Sequence, residues 1–143
     1  MFRVFPSIKI IYIIFFLIIG TKSYLDAADF YSIKSANWDN PNTWSPTSGG
    51  SPGTTTPGTG DNVYIERNFT VTVKDNAACA NIYFTAVDTV LRVGDLSVNT
   101  GYTLTVSGEV ALYTATDRNI SANIKGGGTL NCNELNIGKG LIS

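Results

Sequence analysis

The chain has 143 residues, 43% of them hydrophobic and 15% charged, with 14 Gly, 5 Pro, 2 Cys and no His. That length holds one domain, and the low charged fraction beside plentiful β-branched and aromatic residues excludes disorder and coiled coil. A formal charge of −1 without a basic run gives no footprint for nucleic acid, and the lack of His removes the commonest general base and metal ligand.

Arg3 and Lys9 precede the apolar run Ile10 to Ile19, which Gly20, Thr21 and Lys22 end. A spanning helix needs roughly 20 apolar residues, and this run has about half of that, so residues 1–23 are expected to be a cleaved signal peptide rather than an anchor. Ser23 and Ala27 are the candidate cleavage positions. Cleavage after Ser23 removes Arg3, Lys9 and Lys22, which leaves seven basic residues against eleven acidic ones and a mature charge of −4. Such a surface disfavours anionic partners.

Residues 24–60 show little periodicity and are expected to form an N-terminal cap followed by an exposed loop. The loop is the Gly/Pro/Ser/Thr stretch Ser45 to Gly60, whose composition opposes regular structure. From residue 61 the texture changes to the period of two that half-buried strands require. Phe69, Val71 and Val73 alternate with Thr70, Thr72 and Lys74. The pattern recurs at Val63 and Ile65, Ile82 and Phe84, Leu91 and Val93, Leu96 and Val98, Leu104 and Val106, Val110 and Leu112, Ile120 and Ile124, Leu130 and Cys132, and Leu135 and Ile137.

Gly94, Asn99-Thr100-Gly101, Ser107-Gly108 and Gly126-Gly127-Gly128 punctuate these runs, and no window carries helical spacing. The expected fold class is therefore all-β. Very short strands joined by brief turns favour a right-handed parallel β-helix, a solenoid, over the alternative, a β-sandwich with longer strands in hairpins. Residues 61–143 are read as its coils, incomplete at the C-terminus because Leu141 and Ile142 continue the strand texture without a polar cap. No exact repeat length emerges.

The segments Trp38-Asp39-Asn40-Pro41-Asn42-Thr43-Trp44, Pro57-Gly58-Thr59-Gly60-Asp61-Asn62-Val63-Tyr64-Ile65 and Thr70-Val71-Thr72-Val73 carry a resemblance. Together they resemble the N-terminal segment of bacterial secreted and surface parallel β-helix proteins, with a motif similar to that of the eight-glycine domain family. The resemblance covers Asn37 to Val73 and implies an adhesin-like extracellular chain; many bacterial examples use the type nine secretion route. This sequence departs from the pattern in its long Ser/Gly/Thr loop before Pro57, and no stretch of it is recognisable as a C-terminal sorting domain.

Trp38 and Trp44 suit two roles. Each buries on the order of 200 Å², roughly 5 kcal/mol gross, if it packs over the first coil; alternatively each stacks on a sugar ring. Gly60-Asp61 reads as a tight turn in which the Asp side chain bonds backbone ahead of the Val63 strand, with calcium ligation as the competing role.

Catalysis has few starting points. Without His, the Ser and Cys nucleophile arrangements are closed, and the carboxylates Asp88, Asp95, Glu109, Asp117 and Glu134 form no clustered motif. Gly126-Gly127-Gly128 lacks the Lys-Ser/Thr of a phosphate loop and reads as a turn or bulge. No catalytic residue, cofactor or metal is expected. Cys79 and Cys132 would enter an oxidising compartment, where a pair between them would stabilise by about 4 kcal/mol in the chain-entropy model. Parity puts Cys132 inward with Leu130 and Cys79 out of phase with Ile82 and Phe84, so a buried free thiol at Cys132 is expected instead.

The leading expectation is a secreted or cell-surface, adhesin-like module that binds an extracellular glycan or surface protein. A carbohydrate-binding module using Trp38, Trp44 and Tyr side chains, or the front of a polysaccharide-degrading enzyme, stands behind it. Nucleic acid is not an expected partner, nor is a membrane span after signal cleavage, and an uncovered coil edge would promote self-association.

Overall fold

The computed structural model describes residues 26–86, 93–114 and 122–140. The signal peptide expected at 1–23, Asp88, Leu91, Asp117, Ile120, Leu141 and Ile142 lie outside the described residues. No helix among the described residues is long and apolar enough to cross a membrane.

The structure is all-β. Its strands are β1 (Asp29–Ser32), β2 (Ala36–Asn37), β3 (Trp44–Ser45), β4 (Asn62–Glu66), β5 (Thr70–Val73), β6 (Ala77–Cys79), β7 (Asn81–Thr85), β8 (Asp95–Val98), β9 (Thr103–Thr114), β10 (Ile124–Lys125) and β11 (Thr129–Gly140), with one 3-10 turn at Pro41–Thr43. A seven-stranded sheet runs β11-β9-β7-β4-β1-β3, with β6 also on β9, and a four-stranded sheet runs β10-β8-β5-β2. From β4 onward the chain moves between the two sheets, adding strands beside those already laid down.

Neighbouring strands are parallel, apart from the antiparallel pair β1–β3 and an isolated bridge from Glu66 to Val93. Parallel register stacks like on like. Phe30, Val63, Ile82, Val110 and Leu135 form one column, and Ile65, Phe84, Leu112 and Ile137 form the next. On the smaller sheet Val71 faces Leu96 and Val73 faces Val98. These apolar columns meet in one core between the sheets. The alternation of period two thus places every second side chain inside.

The layers differ in length, which is why no repeat length could be read. Nineteen residues separate Asn62 from its stacked partner Asn81, 28 separate Asn81 from Glu109, and 26 separate Ser107 from Asn133. Turns absorb the differences. At Arg67 and Asn68 the backbone is left-handed (φ 57° and 65°), and the Phe69 amide donates to the Glu66 carbonyl at 3.1 Å, closing a type I′ turn between the sheets. At the Gly126 bend, φ is 109° and a Cβ would collide with the Val98 carbonyl, so glycine is required there.

Three expectations need correction. The parallel stack begins at β1, which pairs with β4, rather than at residue 61. The loop from Ser45 is not wholly exposed: Ser45 pairs with Tyr31 in β3, Ser45 and Pro57 are buried, and the Gly53 amide donates to the Trp44 carbonyl at 2.7 Å. The cysteine phases are also exchanged, Cys79 being buried and Cys132 only half-buried.

The cysteine parity fails at Ala80. Cys79 and Ile82, three residues apart, face Val106 and Val110, four apart, so β9 carries one extra residue at Ser107-Gly108 and both side chains point inward. Cys132 sits on β11, which has no described strand on its outer side. Both thiols face Val106 from opposite sides, two strands apart or roughly 9–10 Å, beyond the reach of a disulfide. Both are free. Burial, with a smaller contribution from Asp61, pushes the Cys79 thiol up to about 12, so it stays protonated and inert.

Candidate functional site

Trp38 and Trp44 close the β1 end of the stack. Trp44 is 0% exposed and Trp38 4%; Trp44 meets Phe30 edge-on at 6.3 Å and Trp38 edge-on at 5.2 Å. The Trp44 indole Nε1 donates to the Trp38 carbonyl at 2.8 Å, and the Thr43 hydroxyl donates to the Asn37 carbonyl at 2.8 Å. Burial satisfied this completely removes both faces from a ligand, so glycan stacking on Trp38 and Trp44 is corrected to packing.

Asp61 is likewise committed to backbone. Its Oδ2 accepts from the Gly58 amide at 2.8 Å and its Oδ1 from the Ala28 amide at 3.0 Å, tying the loop to the residue before β1. Gly60 has open space where a side chain would stand. Among the described residues no three His, Cys, Asp or Glu side chains converge to hold a metal ion. Asp95 lies on the smaller sheet, away from Glu109 and Glu134, which are in register on β9 and β11. Burial raises the Asp95 carboxyl, but hydrogen bonds from Lys125 (2.9 Å) and Asn123 outweigh it and hold it below its ordinary value.

The richest chemistry lies on the outer face of the larger sheet, where the sequence reading weighs Glu109 as an unclustered carboxylate and assigns no role to an individual tyrosine. Tyr31, Tyr64 and Tyr83 occupy one column. Tyr31 and Tyr64 stack with ring centroids 4.4 Å apart and planes within 10°, and Tyr64 and Tyr83 follow at 5.2 Å and 35°. Two residues earlier on each strand, and so on the same face, runs a polar column. Asn62 Nδ2 donates to Asp29 Oδ1 at 3.1 Å, Asn81 Nδ2 to Asn62 Oδ1 at 2.9 Å, and the Glu109 amide to Asn81 Oδ1 at 2.9 Å. Asn136 Nδ2 extends the line by donating to Glu109 Oε2 at 2.7 Å.

The physical origin of both columns is a triplet. Asp29-Phe30-Tyr31, Asn62-Val63-Tyr64 and Asn81-Ile82-Tyr83 each present a polar group outward, an apolar group inward and a tyrosine outward, and Glu109-Val110-Ala111 keeps the pattern with the ring replaced. Read as polar–apolar–tyrosine, the triplet was visible in the sequence. Its unequal spacing hid it.

Burial comes first among the causes that lift all three phenols. Asp29 and Glu66 add to it at Tyr31, Asp29 and the neighbouring tyrosines push Tyr64 up to about 12, and Glu109, which also accepts a hydrogen bond, adds at Tyr83. The phenols therefore remain hydroxyl groups at neutral pH. Asn62, Tyr64, Tyr83 and Thr85 line a shallow depression of about 230 Å³ on this face.

Glu66, also unmarked by the sequence reading, borders the tyrosine column and is only 1% exposed. Its Oε2 accepts from the Ser48 hydroxyl at 2.8 Å and lies 3.9 Å from Arg67 Nε, and its Oε1 accepts from Thr85 at 3.3 Å. Glu66 is an outward position on β4, covered because Ser48 of the inserted loop folds over it. Desolvation raises its pKa against the lowering effect of these partners.

No family model, characterised protein or solved structure matches the chain. Its own geometry therefore carries the functional reading.

Proposed function

We propose that this protein is a right-handed parallel β-helix of the adhesin-like kind, secreted or carried on a cell surface, and acting by binding rather than by catalysis. The observation that carries the reading is the in-register stack itself. Five successive strands place Phe30, Val63, Ile82, Val110 and Leu135 in one inward column while Asp29, Asn62 and Asn81 are hydrogen-bonded outside it. Parallel neighbours favour a solenoid over a sandwich of hairpins, whose neighbours are antiparallel. A solenoid presents long, regular outer faces suited to contact with extended partners. The apolar run Ile10 to Ile19 supports export.

The test is export followed by attachment. The secreted product is expected to lack residues 1–23 by mass spectrometry, and beads coated with it to attach to cells or extracellular matrix more than beads coated with an unrelated protein. Intact Met1 on the extracellular chain overturns cleavage, and an intracellular chain or indifferent beads overturn the function.

A further inference from the structure

We infer that the outward column of Tyr31, Tyr64 and Tyr83, with the flanking Asp29, Asn62, Asn81 and Glu109, is a binding strip for a polysaccharide chain free of anionic groups, laid along the stack axis. The inference rests on the reading of this chain as a binding module and names its ligand class.

Periodicity is the first reason. Each added strand advances the strip by about 4.8 Å, and each of the three tyrosine-bearing strands offers a phenol hydroxyl beside an amide or carboxylate. An extended glycan has a comparable advance per sugar and exposes hydroxyl groups at every step. The depression lined by Asn62, Tyr64, Tyr83 and Thr85 seats one ring at the centre of the strip.

Charge complementarity narrows the class. Asp29 and Glu109 stand in the polar column, and neither column contains Lys or Arg. Acidic polymers, whether uronate, sulfated glycan or nucleic acid, are therefore repelled, whereas neutral sugars are tolerated and amino sugars are attracted. The rings also argue against a cation held by π-faces alone. Tyr64 is stacked between Tyr31 and Tyr83, so the strip presents ring rims and hydroxyl groups, and the rim is the electropositive part of an aromatic ring. Hydroxyl-rich ligands meet donors and acceptors there; a compact cation meets its aromatic cage closed.

The experiment measures retention of the exported full chain on three insoluble matrices: cellulose, chitosan and cross-linked polygalacturonate. Retention is expected on cellulose, chitosan or both, and not on the uronate. The variant Tyr64→Phe/Tyr83→Phe keeps the stack and removes two hydroxyls, and is expected to weaken binding at least tenfold with its melting curve little changed. Thr72→Ala on the smaller sheet should bind as the parent does. Absence of retention on both cellulose and chitosan, equal retention on the uronate, or full binding by the Phe variant overturns the inference. If coated beads still attach to cells when the matrices fail, only the ligand assignment falls; if export or attachment fails, the underlying reading falls with it.

Discussion

At the β1 end of the stack, Trp44 lies buried against Phe30 and Trp38 against Trp44, and the two-residue strand β3 runs antiparallel along the outer edge of β1. At the β11 end, Leu135 and Ile137 continue the same inward columns as Val63 and Ile65, yet they are 53% and 73% exposed. Ile124 on β10 is 41% exposed beside them. Side chains of one kind, at equivalent positions, are core at one end and surface at the other. Inwardness in a stacked fold is conferred by a neighbour on each side, and the segment from Trp38 to Ser45 supplies that neighbour for β1 while also ending the parallel edge with a short strand of opposite direction.

Trp44→Ala should break the comparison most severely. It removes a fully buried indole and its hydrogen bond to Trp38, and about 3–5 kcal/mol of stability should be lost, read from the shift of a urea midpoint. A loss under about 1 kcal/mol would show that the cap is decorative. Ile65→Ala and Ile137→Ala then compare the first and the last member of one column. The first should cost about 2–5 kcal/mol and the second within about 0.5 kcal/mol, by the same measurement; equal costs would mean that another surface covers Ile137 in solution.

Self-association through the side of β11 that bears no strand among the described residues sharpens the contrast. Leu135→Lys/Ile137→Lys should shift sedimentation of the chain at tens of micromolar from larger species toward monomer, with little change in melting. A parent that already sediments as a monomer would show that this end is closed by other means.

The smallest effect is expected at Glu66. Its folded-state pKa is raised by burial, so the protonated form is favoured by folding. The associated stability is fully present below the unfolded carboxylate range and is lost as pH rises through the raised value. Glu66→Gln, which keeps an acceptor for Ser48, should flatten that decline, visible as a urea midpoint that no longer falls with pH across the window. An unchanged slope would assign the decline to another group.

The sequence made the class of fold legible because alternation is a local property: Val71 and Val73, or Ile82 and Phe84, announce an inner face with no knowledge of their partners. What it concealed depends on register. Cys79 was misplaced because a one-residue bulge opposite Ala80 resets the parity, and nothing in Cys79's own neighbourhood marks it. The tyrosine column was missed because Tyr31, Tyr64 and Tyr83 are brought together only by pairing across layers of unequal length. Glu66 was invisible for a third reason, since its burial comes from Ser48 in a segment whose composition advertises exposure. Trp38 and Trp44 were legible as important through residue type, and geometry then chose between their two roles.

The placement of the two tryptophans also divides the protein optically. Both indoles belong to the cap at the β1 end, so fluorescence emission reports the environment of that end alone, whereas far-ultraviolet dichroism sums over every strand. In a chain that unfolds all at once the two signals coincide. If strands peel away from β11 first, ellipticity falls while the indole spectrum stays that of a buried ring, and the interval between the two curves measures how far the capped end outlasts the rest.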